Sequence, residues 1–262
     1  MDWHEGRGYE RLHRLHGIPA GPLAEPLSLT ALEGVAEAPA ALLIELPQRD
    51  LGGALPSWDE LEAMVGWARE RGAAVHMDGA RLWESTPYYA RTPAEIAALF
   101  DTVYVSFYKG LGGITGCCVA GPRDVIDEVS EWRTRHGGRL FGLWPYAASA
   151  LSALRLRLPK MPEYYEHALA IARALHGIPG LRVLPDPPQA PMMHVQLDVT
   201  PAELRARALE IARRDKVWTF DRPFAVDSVG RLRVELSVGD ATMQFAPDEV
   251  RALFQELVGG KA

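Results

Sequence analysis

The sequence predicts an α/β fold: a mostly parallel sheet with helices in its first 158 residues, then a small C-terminal α/β domain over 159–262. Two short apolar runs, 73–77 and 102–107, are rich in β-branched or aromatic residues. Between them, 93–100 has helical periodicity. Strand, helix, strand at this length reads as a right-handed βαβ unit with parallel, buried strands. Beyond the proline-containing stretch 159–162, helices and strands alternate in a way that suits an antiparallel sheet packed with helices.

Taken in order, 5–16 forms a helix stopped by the glycine- and proline-rich 17–22. Residues 28–33 start a second helix, and 40–46 make a buried strand. A loop, 47–53, follows at that strand's carboxyl end. Ser57 caps a helix through Arg71, with Leu61, Met64, Val65 and Ala68 on one face. After the central βαβ, 112–120 reads as a strand and 122–135 as a helix. The stretch 143–158 is apolar on most sides, hence a packed helix. Then come a helix (163–176), strands (181–184 and 193–199), a helix (201–214), a strand (232–238) and a last helix (247–258).

The 262 residues are 48% hydrophobic, enough for a real core, and the net charge of −6 is spread among interspersed acids and bases. That balance argues against nucleic acid as the main partner and favours a soluble protein. No apolar run is long enough to span a bilayer, so no membrane is expected as partner. The first residues lack the basic region and apolar core of a secretory signal, so a cytoplasmic location is expected. Cys117 and Cys118 are the only cysteines and are adjacent; they are expected to be buried small hydrophobes. His13 and His16 lack a second ligand pair, so no metal site is expected.

In a parallel sheet, ligands sit in the crevice beyond the carboxyl ends of the strands. Asp78 ends the first run of the βαβ unit and Lys109 follows the second, so both stand at that edge. An acid and an amine placed so suit pyridoxal phosphate (PLP). Its aldehyde needs a lysine, and its pyridine nitrogen needs an acid to keep the ring protonated. The glycines at 110, 112 and 113 let backbone approach a flat ligand. An ordinary strand-end ion pair of Asp78 with Lys109 or Arg81 reads equally well from spacing alone. A dinucleotide reading of 110–116 fails, because Thr115 stands where the third glycine belongs and a strand follows.

The words His76-Met77-Asp78-Gly79-Ala80-Arg81-Leu82-Trp83 and Lys109-Gly110-Leu111-Gly112-Gly113 resemble the low-specificity threonine aldolase and β-eliminating lyase family, a branch of the fold-type I PLP enzymes. Trp132-Arg133 with His136-Gly137-Gly138 is similar to a further segment of that family. The resemblance runs in order from about residue 40 to the C-terminus. It implies a PLP-dependent lyase acting on a small amino acid, and assembly as a homodimer or homotetramer. It makes Lys109 the Schiff-base lysine and Asp78 the partner of the ring nitrogen. Arg81 matches the motif arginine near the substrate carboxylate, and Arg233 the C-terminal arginine that receives it; a guanidinium binds carboxylate bidentately. Structural readings stand beside both, an ion pair for Arg81 and an alternating solvent-face position for Arg233.

The sequence departs from the family in three places. Gln48 occupies the substrate-side position of a loop histidine; it can hydrogen-bond but cannot titrate. Phe141 stands where an arginine is expected, with Arg139 two residues earlier. Family chains also have a substantial portion before the matched region, which supplies the helix N-terminus for the cofactor phosphate. The chain alone is therefore expected to bind PLP poorly and to fold poorly. His4 matches the histidine that stacks on the PLP ring, unless Glu5 matches the glutamate after it. Another PLP reaction, such as transamination or racemisation, and a non-catalytic remnant are the alternatives to a lyase.

Overall fold

The computed structural model describes residues 4–220, 223–226 and 232–259. Residues 1–3, read above for a secretory signal, lie outside the described residues. The elements are α1 (Gly8–His13), α2 (Leu29–Glu33), β1 (Ala41–Glu45), α3 (Trp58–Glu70), β2 (Ala74–Gly79), α4 (Leu82–Tyr89), α5 (Pro93–Ala97), β3 (Thr102–Ser106), β4 (Cys117–Ala120), α6 (Arg123–Arg135) and α7 (Trp144–Arg157). They continue as α8 (Met161–Leu175), β5 (Leu181–Leu184), β6 (Met192–Leu197), α9 (Pro201–Asp215), β7 (Pro223–Val226), β8 (Leu232–Ser237) and α10 (Pro247–Leu257). The α/β class expected from the sequence is the class found.

The first sheet has the order β1-β2-β3-β4. β1, β2 and β3 are parallel, and β4 runs antiparallel to β3. Parallel neighbours require crossovers, which α3 provides between β1 and β2, and α4 with α5 between β2 and β3. Local chemistry starts α3 and α5 where expected. The Ser57 side chain accepts from the Glu60 amide, and Thr92 with Glu95 forms a capping box ahead of Pro93. One core lies between the sheet and α3, where Ile44, Val75 and Met77 meet Leu61, Met64 and Val65. Burying a side chain of this size contributes about 1.5–3 kcal/mol.

Three expectations fail here for reasons of cover. The parallel strands were expected to be buried on both faces, but β1 and β2 alternate, leaving Ala41, Leu43 and Ala74 exposed. β4 is an edge strand, so Cys117 and Cys118 are exposed rather than core. α7 is helical as expected, yet Trp144 is 75% exposed and Leu151 and Leu156 are exposed too. Only one side of α7 meets the core, through Ala153, Leu154 and Leu158 just beyond its end.

The second sheet, β5-β6-β8-β7, is antiparallel throughout. Leu232, Val234 and Leu236 of β8 alternate onto a core shared with α8, α9 and α10, which includes Tyr164, Ile171, Leu204, Ile211 and Phe254. Period-2 alternation sends Arg233 and Glu235 to the opposite face, beside Gln196 and His194 of β6. That face is covered by the loop after β1. Gly52 allows the close approach, with φ of 74°; a Cβ there would overlap the Leu184 carbonyl.

Candidate active site

The strand register aligns Glu45 of β1 with Asp78 of β2, and Asp78 with Tyr104 of β3. The carboxyl ends of three parallel strands thus present a row of polar side chains. Asp78 is half-buried, and its Oδ1 accepts from the Ala80 amide at 3.2 Å. Among the described residues nothing engages Oδ2. Glu45 is pushed upward in pKa, first by burial and then by the charges of Asp78 and Asp50; the Arg49 amide, donating to it at 3.2 Å, works the other way. Burial holds the Tyr104 phenol well above its ordinary range, and a hydrogen bond with Tyr108 adds to that.

Lys109 sits in the turn after β3. The turn is closed by the Gly112 amide donating to the Lys109 carbonyl at 2.8 Å and the Gly113 amide to the Phe107 carbonyl at 2.7 Å. Lys109 is half-buried, makes no ion pair among the described residues, and carries Nζ 6.0 Å from the Tyr108 ring centre. β2 and β3 are adjacent and parallel, so Asp78 and Lys109 occupy one sheet edge.

Arg81 precedes α4, and its Nε lies 3.7 Å from Glu84 Oε2. Trp83 Nε1 donates to the Ser106 carbonyl at 3.0 Å, and Ser106 Oγ donates to the Ala80 carbonyl at 2.7 Å. These two bonds pin the start of α4 against β3, which fixes where Arg81 and Glu84 stand.

Arg233 lies on the β8 face turned toward the β1 loop, opposite Gln196. On the same face Arg49 Nε pairs with Glu235 Oε2 at 2.7 Å, joining that loop to β8. His194 is fully buried there; desolvation draws its imidazole down to about 4, so it is neutral at pH 7. Gln48 is half-buried. Its Oε1 accepts from the Leu27 amide at 3.4 Å, and its backbone amide donates to Ala54. His4 is exposed, with Nε2 2.9 Å from Asp50 Oδ1 in the same loop.

Asp78, Lys109, Arg81, Gln48, His4 and Arg233 therefore stand on elements that meet around the β1–β3 edge and the facing side of β8. The segment around Trp132 does not share those elements. Trp132 and His136 pack on His13 at ring separations of 5.2 and 5.1 Å and on each other at 5.7 Å. Phe141 and Arg139 are exposed beyond α6. Sequence reasoning missed Glu84, His194 and the Arg49–Glu235 pair. Glu84 had a signal, lying one helical turn after Arg81; His194 had only its place amid an apolar strand.

A family model described as beta-eliminating lyase matches residues 29–198. A solved structure from Listeria monocytogenes EGD-E, provisionally named an L-allo-threonine aldolase, superposes with a TM-score of 0.91 at 36% identity, covering 98% of this chain and 71% of that one. One from Exiguobacterium sp. 255-15, provisionally named an aromatic amino acid beta-eliminating lyase/threonine aldolase, gives 0.90 at 38% identity, with 98% and 72% covered. The low specificity L-threonine aldolase of Escherichia coli K12 is 30% identical over 133 residues, 51% of this chain and 40% of that protein. The chain spans less than half the length of that curated relative. With a matched region of 170 residues and a shared fold over nearly its whole length, the chain belongs to the beta-eliminating lyase family.

Proposed function

We propose that the chain carries PLP-dependent lyase chemistry on a small amino acid, breaking Cα–Cβ or Cβ–X bonds. The observation that carries this reading is the shared edge of β2 and β3, with Asp78 ending one strand and Lys109 following the other. The donor set fits PLP. Lys109 offers a half-buried amine free of ion pairs, and Asp78 has Oδ2 open to a ring N–H. When bound, PLP supplies an electron sink for negative charge developing at the substrate's Cα.

The chain's own groups would do the rest. Lys109 Nζ would hold the cofactor's aldehyde and would carry protons at the substrate carbons. Asp78 would keep a proton on the ring nitrogen. Arg81 and Arg233 would clamp the substrate carboxylate from two sides, which orients the bond to be broken. His4 would lie over the cofactor ring, swinging from its contact with Asp50. Gln48 would reach the β-substituent by hydrogen bonding alone, which disfavours removal of a proton from a β-hydroxyl.

A homodimer or homotetramer would cover the exposed apolar side of α7, where Trp144, Leu151 and Leu156 stand open. A cytoplasmic location fits small-molecule chemistry of this kind, and no helix among the described residues is long and apolar enough to cross a membrane. The test is to load the protein with PLP, reduce with borohydride and map the labelled peptide. In parallel, pyruvate release from β-substituted alanines and glycine release from threonine are assayed. Label on Lys109 with neither product would leave PLP binding and remove the lyase.

A further inference from the structure

Arg81 and Glu84 are a buried ion pair in which each partner is left half-satisfied. Their side chains are 13% and 6% exposed, and Arg81 Nε stands 3.7 Å from Glu84 Oε2. That separation is too long for a hydrogen bond. Among the described residues no acceptor meets the Nη groups of Arg81, and Glu84 Oε1 has no hydrogen-bond partner of good geometry. A guanidinium carries five N–H donors in a fixed fork, so one loose partner leaves most of them for a second carboxylate. Glu84 cannot withdraw to make room. A Cβ on Gly110 would overlap Oε1 and press on Cδ, so the turn after β3 packs its backbone against the carboxyl. The bonds from Trp83 to Ser106 and from Ser106 to Ala80 fix the backbone that carries both residues.

We propose that Glu84 is a positioning residue for Arg81 whose charge competes with the substrate carboxylate, so that the anion binds at Arg81 together with a proton taken up by Glu84. The inference rests on the reading of Arg81 as a carboxylate clamp. Two carboxylates on one guanidinium, shielded from water, hold a surplus negative charge, and protonating the buried one removes it. The proton comes from solvent and ends on a Glu84 oxygen; no bond of the substrate changes. Charged groups act on Glu84 from three sides. Arg81 draws it down from the start of α4, Glu235 pushes it up from β8, and Lys109 with the Gly110 amide draws it down from the turn. Burial outweighs these and lifts the carboxyl to about 7, so the free site holds both forms near neutrality. Below that value Glu84 is already neutral and an anion meets Arg81 unopposed. Above it, binding must also protonate Glu84, so affinity falls as pH rises.

The test uses the full chain without cofactor, and propionate, a carboxylate with no other group that titrates. Binding is read from the Arg81 Nε–H resonance in 15N-arginine-labelled protein, assigned by Arg81→Lys. The state of Glu84 is read from its carboxyl carbon in 13C-glutamate-labelled protein, assigned by Glu84→Gln. Propionate should move the Arg81 signal, and its affinity should weaken several-fold from pH 6 to pH 8. Saturating propionate should also raise the Glu84 midpoint above its value near 7. In Glu84→Gln, propionate should bind equally well at both pH values and more tightly than to wild type at pH 8. Loss of a merely structural carboxyl would give no such gain. Propionate that moves the Arg81 signal but leaves the Glu84 midpoint in place overturns the proposal and keeps Arg81 as a carboxylate site. An Arg81 signal indifferent to propionate defeats the clamp itself, and the proposal with it. If Glu84→Gln does not fold, the wild-type shift of the Glu84 midpoint decides alone.

Discussion

Arg157 Nε stands 2.9 Å from Asp240 Oδ2, while its Nη1 donates to the Leu111 carbonyl at 2.7 Å. One guanidinium thus ties the end of β8 to the turn that holds Lys109. Lys160 Nζ and the Tyr164 hydroxyl bond to the same carboxylate. Removing the clamp with Arg157→Met should free the Leu111 carbonyl and loosen the turn. We expect PLP affinity to fall about tenfold, equivalent to about 1.4 kcal/mol. An absorbance titration with PLP reads this directly, and unchanged affinity would show that the turn holds its shape without Arg157.

Those donors, the Tyr164 hydroxyl first, hold the Asp240 carboxyl far below the usual carboxylate range. A depressed folded-state value means stability that is present above the unfolded value, near 3.9, and lost as pH falls below it. Asp240→Asn should therefore melt earlier than wild type at pH 7, by a modest amount because solvent screens this partly exposed group. The gap should narrow below about pH 4. A gap of constant size from pH 7 to 3 would mean that the carboxylate's charge contributes nothing.

At the cofactor edge, Lys109→Ala should abolish both the borohydride label and product formation, since the other three lysines lie elsewhere in the chain. Asp78→Asn should keep some PLP bound and lose turnover by at least about a hundredfold, the scale on which one preorganised electrostatic partner acts. Full turnover in that variant would exclude Asp78 as the ring-nitrogen partner.

The parallel edge was legible because β-branched runs that end in a charged residue mark strand termini. The places of Asp78 and Lys109 at that edge follow from those runs, whereas their cofactor roles rest on the family resemblance. Arg233 and Glu235 could be placed on one face from alternation, but which face met the first sheet could not. That depends on Gly52 and on the Arg49–Glu235 pair, 186 residues apart in sequence. His194 stayed hidden for another reason. A single polar residue amid apolar neighbours carries no periodic signal, and its environment is built by distant segments. The exposure of Cys117 and Cys118 was misread because apolar composition does not say whether a strand lies at a sheet edge. The helix α4, which had no reading from the sequence, carries Pro87 inside it, a residue that argues against helix locally.

On the proposed reading, Gln48 would limit what the site can do with a β-hydroxyl. Its amide oxygen takes the Leu27 N–H, and the side chain holds no titratable proton. Threonine cleavage by the native chain should be weak. Gln48→His should raise the retro-aldol rate by about a hundredfold, the low end for a positioned general base. Acetaldehyde formation from threonine measures this. Rapid cleavage before the substitution would show that another group takes the proton.

The Glu84 carboxyl also makes stability depend on pH in a direction opposite to that of Asp240. Burial first, then Glu235, raises its folded value to about 7, above the ordinary 4.5. Below pH 4.5 the group is neutral in both states and stability is at its full value. Between 4.5 and 7 the unfolded chain ionises while the folded chain does not, so stability falls as pH rises and levels off above 7. The drop is on the order of 3 kcal/mol for a group this deeply buried. Glu84→Gln carries no such penalty, since its amide stays neutral at every pH. Measured by urea denaturation, the variant should gain on wild type steadily from pH 5 to 8, with most of the gain complete by pH 7. A difference between the two proteins that stays flat over that range would mean the buried carboxyl does not titrate there.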